Sequence, residues 1–103
     1  MLQLFKKLLG LGPSVNYKEL VANGATIVDV RSKGEYQSGH IKNSINIPLD
    51  TLQSQLSKIK KDKPVITCCA SGMRSAAAKS VLKSAGYAEV YNGGGWSGLQ
   101  NKL

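Results

Sequence analysis

Two short apolar runs limit the folds that this chain of 103 residues can adopt. The runs are ATIVDV at 25–30, which is apolar except for Asp29, and PVITCC at 64–69. Strands that are apolar on both faces are typical of the interior of a parallel sheet, where helices cover each side. We therefore expect both runs to be buried strands of one such sheet.

Segments with helical character alternate with the strands. The predicted elements, in chain order, are a helix over 16–24, a strand over 25–30, a short helix or turn over 32–39, a strand over 44–48, a helix over 49–59 capped by Asp50 or Thr51, a strand over 64–69, a helix over 75–86, a strand over 88–91, and a Gly-rich turn at 92–95 before a last short helix. This alternation predicts an α/β fold with a mainly parallel sheet and helices on both faces.

Length and composition indicate one ordinary globular domain. The hydrophobic fraction is 42%, and 14 Lys and Arg residues against 6 Asp and Glu residues give a net charge of +8. The lysine cluster at 57–63 contains no aromatic residue, so we expect a solvated surface there and no nucleic-acid partner. The positive field attracts small anions.

Residues 1–15 are predicted to form an amphipathic N-terminal segment that precedes a domain at 16–103. Its apolar stripe consists of Met1, Leu4, Phe5, Leu8 and Leu9. The apolar run is short and lacks a cleavage site, which argues against a secretory signal. We expect residues 1–12 to lie as a short helix on the domain or in solvent, and not to bind a membrane surface.

The two cysteines are consecutive, at the end of the second apolar strand. A bridge between adjacent cysteines is strained, so we expect free thiols and a reducing, cytoplasmic location. Counted from Cys69, Arg74 closes a C-x4-R loop, which suits sulfur transfer. Counted from Cys68, it closes a C-x5-R loop, which suits phosphate cleavage. Adjacent strand residues point to opposite faces, so we expect Cys69 to enter the loop as the nucleophile and Cys68 to pack in the core.

The loop after Cys69 has the composition of an anion-binding turn. It is small-sided and contains a glycine, so its N–H groups can turn inward in front of a helix N-terminus. A thiolate held there has a lowered pKa, and an arginine at the mouth can grip an oxyanion through two hydrogen bonds. The candidate substrate-binding residues are Arg74 with Ala70, Ser71, Gly72, Met73 and Ser75.

Three segments in this order resemble the rhodanese homology domain family. They are DVRSKGEYQSGHIKNSINIP at 29–48, CASGMRS at 69–75 and YNGGGW at 91–96. The resemblance to a single-domain rhodanese-like sulfurtransferase extends from about residue 17 to the end of the sequence. It implies a rhodanese-like sheet of about five strands. It further implies a persulfide on Cys69, a small anionic donor such as thiosulfate, and a thiol or protein acceptor.

Two other functions remain open on the residues alone. Cell-cycle dual-specificity phosphatases share the fold and have a loop one residue longer, so a phosphatase or arsenate reductase that uses Cys68 is one alternative. A non-catalytic rhodanese-like interaction module is the other. Many active family members carry a basic or amide side chain directly after the nucleophile, whereas this chain has Ala70 and leaves Arg74 as the only cation in the loop.

We expect Asp29, Arg31, Glu35 and His40 to support the site structurally. Asp29 is expected to be a buried carboxylate, with Arg31 as its neighbour or as an ion-pair partner of Glu35. His40 is expected to pack and hydrogen-bond, since a thiolate needs no general base. Trp96 is expected to cap the core. One histidine and two cysteines at these spacings do not predict a metal site, and we expect no cofactor and a monomer.

Overall fold

A four-stranded parallel sheet with strand order β2-β1-β3-β4 forms the centre of the protein. The computed structural model describes residues 14–103. The elements are α1 (Tyr17–Ala22), β1 (Thr26–Asp29), α2 (Lys33–Gln37), β2 (Ile45–Asn46), two 3₁₀ helices (Leu49–Ser54 and Leu56–Lys58), β3 (Val65–Cys69), α3 (Met73–Ser84), β4 (Val90–Gly95) and α4 (Trp96–Gln100). The α/β class is confirmed, and the described residues contribute four of the roughly five strands expected. The predicted helix at 1–12 lies outside the described residues.

The two apolar runs are the central strands, and each buries both of its faces. One hydrophobic cluster packs α3 and the first 3₁₀ helix against the sheet and includes Val28, Val65, Cys69, Leu52, Ala78 and Leu82. The cluster on the other side includes Ile27, Ile66, Cys68 and Leu99, with Tyr17 and Leu20 of α1 against it. The alternation of these side chains along β1 and β3 follows the two-residue period of a strand.

Side-chain hydrogen bonds cap the first turns of α1 and α2. The side chain of Asn16 accepts a hydrogen bond from the Glu19 N–H at 3.0 Å, and Gly24 ends this segment with φ +100°. Ser32 and Glu35 form a reciprocal capping box at the start of α2. No helix within residues 14–103 is both long and apolar enough to cross a membrane.

The helix predicted over 49–59 is wrong in type. Two 3₁₀ helices occupy this segment, and neither Asp50 nor Thr51 caps it, because the residue before the first turn is Pro48. The backbone bonds join residues three apart, as in Gln55 N–H to the Leu52 carbonyl at 3.0 Å. A leucine spacing of three fits a 3₁₀ helix as well as an α-helix, so the pattern did not separate the two.

The glycines predicted as a turn at 92–95 instead extend β4 along β3. Thr67 pairs with Asn92 and Cys69 pairs with Gly95, so β4 contains one extra residue in a bulge. A Cβ on Gly95 would lie 2.8 Å from the Ala70 carbonyl oxygen, which is closer than real contacts allow. The absence of side chains therefore lets β4 lie directly against the loop that follows Cys69.

Candidate active site

The loop between β3 and α3 wraps around the sulfur of Cys69. Gly72 ends the loop in the left-handed region, with φ +108°, and stands at the N-cap of α3. Its N–H donates to Cys69 Sγ at 2.9 Å. The helix N-terminus adds its positive dipole end at the same point. The helix begins at Met73, two residues earlier than expected, so the last loop residues are already part of its first turn.

Hydrogen bonds shift the pKa of the Cys69 thiol downward from its ordinary value. Burial alone would raise this pKa, because Cys69 is only 1% exposed. The Ser75 hydroxyl and the backbone N–H groups of Ser75, Gly72 and Ser71 outweigh burial by stabilising the thiolate. These hydrogen bonds favour the thiolate, which is the nucleophilic form of a cysteine.

Cys68 lies in the opposite environment. It packs on the other face of the sheet, in the cluster that contains Ile27 and Leu99. Burial, followed by the nearby charge of Asp29, raises the pKa of the Cys68 thiol to about 12. Cys68 therefore stays protonated near neutral pH and has no anion-binding loop around its sulfur, which removes the geometric basis for a phosphatase loop counted from this residue.

Ser75 connects the sulfur to β4. The thiol of Cys69 donates to Ser75 Oγ at 3.4 Å, and this hydroxyl donates to Asn92 Oδ1 at 2.6 Å. Asn92 also donates from Nδ2 to the Gly72 carbonyl at 3.3 Å and accepts from the Gly94 N–H at 2.9 Å. Sequence reasoning missed Asn92, since its only signal was its place before the glycine run.

Arg74 is held by Glu35 rather than left free at the mouth. Its Nη1 and Nη2 donate to the two carboxylate oxygens at 2.7 and 3.0 Å, and each side chain is 38% exposed. This pairing, together with hydrogen bonds from Ser32, lowers the pKa of Glu35 to about 2. The sequence left Asp29 and Glu35 open as partners of Arg31. The Glu35 carboxylate pairs with Arg74 instead.

Arg31 pairs with Asp29, and both are buried. Its Nη2 lies 2.7 Å from Asp29 Oδ2, with side-chain exposures of 5% and 0%. The same guanidinium donates to the carbonyls of Gly39 and Glu35 at 2.7 and 3.2 Å. Its carbon lies 4.8 Å from the centre of the Trp96 ring. This cluster joins β1, the region around α2 and the start of α4 beneath the loop.

The remaining predicted residues lie at the rim or outside the loop. Ala70, Ser71 and Met73 are exposed, and Met73 is 83% exposed. His40 stacks on Tyr36 with 3.7 Å between ring centres, and its Nδ1 donates to the Tyr36 carbonyl at 2.7 Å. His40 thus packs and hydrogen-bonds as expected. Trp96 is half-buried against the second cluster, as a capping residue would be.

A surface cavity of about 390 Å³ opens beside the loop. It is lined by Val30, Ser32, Pro48, Leu49, Asp50 and Arg74.

The fold and loop together define a class of parallel α/β domains in which a cysteine at the end of a central strand accepts a backbone hydrogen bond at a helix N-terminus. Within that class, the chain belongs to the rhodanese-like domain family, whose model matches residues 14–102.

Two curated proteins are similar to part of this chain. The chain is 40% identical over 68 residues to the uncharacterized protein YqhL of Bacillus subtilis, covering 66% of this chain and 54% of YqhL. It is 35% identical over 74 residues to tRNA uridine(34) hydroxylase of Enterobacter sp. strain 638, covering 66% of this chain and 21% of that protein. The chain therefore spans about half of the first relative and a fifth of the second.

Two solved structures are similar over most of their own length. The human single-domain sulfurtransferase TSTD1 superposes with a TM-score of 0.71 at 28% identity, covering 89% of this chain and 98% of that one. A rhodanese with anions from E. coli gives a TM-score of 0.69 at 32% identity, covering 73% and 91%.

Proposed function

We propose that this protein is a sulfurtransferase that moves a sulfane sulfur from thiosulfate, or a similar small anionic donor, to a thiophilic acceptor through a persulfide on Cys69. One observation carries the proposal. The sulfur of Cys69 receives the Gly72 N–H at 2.9 Å at the head of α3, while the sulfur of Cys68 is buried on the opposite face of the sheet.

In the first half-reaction, the Cys69 thiolate attacks the outer sulfur of thiosulfate. The new bond joins the two sulfurs, and the bond between the outer and the central sulfur of the donor breaks. Sulfite leaves with the electron pair of that bond, and a Cys69 persulfide anion remains. The loop N–H groups that stabilise the thiolate also stabilise this anion without reorganising, because they are already oriented.

In the second half-reaction, a nucleophilic acceptor attacks the terminal sulfur of the persulfide. Cyanide would leave as thiocyanate, and a thiolate would leave as its persulfide, so in either case the Cys69 thiolate returns. The exposed rim of Ala70, Ser71 and Met73 leaves room for an acceptor thiol to approach. Two free cysteines fit a reducing compartment such as the cytoplasm.

Arg74 is the proposed binding group for the donor's sulfonate oxygens. Both of its Nη groups bind Glu35, so a donor would displace this partly exposed carboxylate from the guanidinium. Partly exposed ion pairs contribute little net free energy, which makes such an exchange feasible. Asp29 and Arg31 would hold the framework below the loop, without contact to the donor.

The experiment is a steady-state assay of thiocyanate formation from thiosulfate and cyanide. We expect turnover in the wild type and in Cys68→Ala, and loss of turnover in Cys69→Ala. Para-nitrophenyl phosphate and arsenate serve as alternative substrates for all three proteins. Activity on either of them that depends on Cys68 would contradict the proposal, as would absence of sulfur transfer in folded wild type, which would favour the interaction module.

A further inference from the structure

The Ser75 hydroxyl has one hydrogen and three acceptors within reach. They are Asn92 Oδ1 at 2.6 Å, the Gly72 carbonyl at 3.1 Å and Cys69 Sγ at 3.4 Å. Since a hydroxyl can donate only one hydrogen bond at a time, these acceptors compete. The shortest distance is the one to Asn92, so the hydrogen lies there while the sulfur is protonated.

The orientation of the Asn92 amide is fixed by two further contacts. The Gly94 N–H donates to Oδ1 at 2.9 Å, and Nδ2 donates to the Gly72 carbonyl at 3.3 Å. A flipped amide would place two donors against each other at Gly94 and two acceptors against each other at Gly72. The Asn92 oxygen therefore faces Ser75, and it accepts from two donors at once.

Ionisation of Cys69 changes its sulfur from a donor to the Ser75 hydroxyl into an acceptor from it. In the thiol state a chain of donors runs from Cys69 to Ser75 to Asn92, and every hydrogen has an acceptor. In the thiolate state the sulfur can only accept, and a charged acceptor attracts a hydroxyl hydrogen more strongly than a neutral amide oxygen does. The hydroxyl then rotates toward sulfur, and Asn92 keeps the bond from Gly94.

We propose that Asn92 is a positioning residue that acts on Cys69 through Ser75, holding the hydroxyl hydrogen while the sulfur is protonated and releasing it to the sulfur when the thiolate or the persulfide anion forms. The thiolate half of this inference stands on the geometry alone. The persulfide half rests on the proposed function. Asn92 thereby sets how strongly the loop favours the anionic sulfur, because its side-chain oxygen competes with the sulfur for the Ser75 hydroxyl hydrogen.

Other charged groups near Cys69 stay the same in the test. Among the described residues these are Arg74 of α3 and its partner Glu35. The other titratable group nearby is the Cys68 thiol of β3. A Cys68→Ala background removes the second thiol and leaves a single cysteine to follow. The readout is the pH profile of Cys69 alkylation by iodoacetamide, which follows the thiolate fraction and needs no sulfur donor.

Two substitutions of Asn92 should move that profile in opposite directions. Asn92→Leu removes the competing acceptor, so the Cys69 pKa should fall by about half to one pH unit. Asn92→Asp keeps the acceptor and strengthens it with a negative charge, so the pKa should rise. In a Ser75→Ala background the effect of Leu should vanish, and only the through-space effect of the Asp charge should remain.

A merely structural role for Asn92 predicts a different pattern. Loss of its bond to the Gly72 carbonyl would loosen the loop, and both substitutions would raise the pKa whether or not Ser75 is present. That result would overturn the inference, as would an unchanged profile in Asn92→Leu. Far-UV circular dichroism checks that each variant is folded. If Asn92→Leu is not folded, Asn92→Ala replaces it, because it removes the same acceptor and the same fall in the Cys69 pKa is expected.

Failure of the proposed function has its own signature. If the profiles move as expected but thiosulfate leaves no sulfur on Cys69, then the hydroxyl exchange is correct and the sulfur-transfer proposal is wrong. If sulfur transfer occurs but the profiles do not depend on Ser75, then the positioning role of Asn92 is wrong.

Discussion

The sulfur atoms of Cys68 and Cys69 lie on opposite faces of the sheet, although the two residues are consecutive in β3. Cys68 packs in the cluster with Leu99, and Cys69 packs in the cluster with Leu82. Only Cys69 receives the Gly72 N–H, and only its pKa is lowered. One peptide unit thus separates an inert core thiol from the thiol that can serve as nucleophile.

Alkylation should separate the two thiols. Iodoacetamide should modify Cys69 with a pH midpoint below that of a free cysteine, since hydrogen bonds lower its pKa. Cys68 should stay unmodified in the neutral range, since burial raises its pKa to about 12. Peptide mapping by mass spectrometry across a pH series measures both, and faster labelling of Cys68 than of Cys69 would refute the assignment.

Gly95→Ala should destabilise the protein. The new Cβ would lie 2.8 Å from the Ala70 carbonyl oxygen, and overpacking of this kind costs about 1–3 kcal/mol. Gly98→Ala is the matched control, because no atom outside the neighbouring helix backbone lies within 4 Å of its Cβ position in α4. It should stabilise by about 0.5–1 kcal/mol. Urea unfolding midpoints decide, and equal effects of the two substitutions would argue against close contact between β4 and the loop.

The Arg74–Glu35 pair should contribute stability in a defined pH range. Because the folded-state pKa of Glu35 is lowered from 4.5 to about 2, the contribution is complete above pH 4.5 and is lost as the pH falls toward 2. The difference in urea midpoint between wild type and Glu35→Gln should shrink over this range. A difference that stays constant with pH would mean that the pair does not hold the carboxylate ionised.

Asp29→Asn should be far more costly than a surface carboxylate substitution. It leaves the buried Arg31 guanidinium without its counter-charge, which costs about 3–5 kcal/mol. Asp50→Asn, at an exposed position, should change stability by less than about 0.5 kcal/mol. Chemical denaturation measures the loss of unfolding free energy in both variants. Similar losses would show that the Asp29–Arg31 pair contributes no more to stability than an exposed carboxylate does.

Local sequence patterns predicted the parts of the fold that depend on local physics. The alternation along β3 assigned Cys68 and Cys69 to opposite faces, because side-chain direction in a strand has a fixed period. The helix predicted from residue 16 starts where expected, because the hydrogen bond between Asn16 and the Glu19 N–H reaches only three residues along the chain.

The wrong or missing predictions concern contacts between distant segments. Gly95 suggested a turn, but it serves a close approach to Ala70 that only the folded backbone reveals. The Glu35–Arg74 pair joins residues 39 positions apart, and Asn92 of β4 reaches Ser75 of α3. Nothing in the local composition around these residues indicates such partners.

Mass spectrometry of the intact protein after treatment with thiosulfate tests the central claim most directly. The wild type and Cys68→Ala should each gain the mass of one sulfur atom, which cyanide then removes, and Cys69→Ala should gain nothing. A sulfur adduct that persists in Cys69→Ala and disappears in Cys68→Ala would contradict the account.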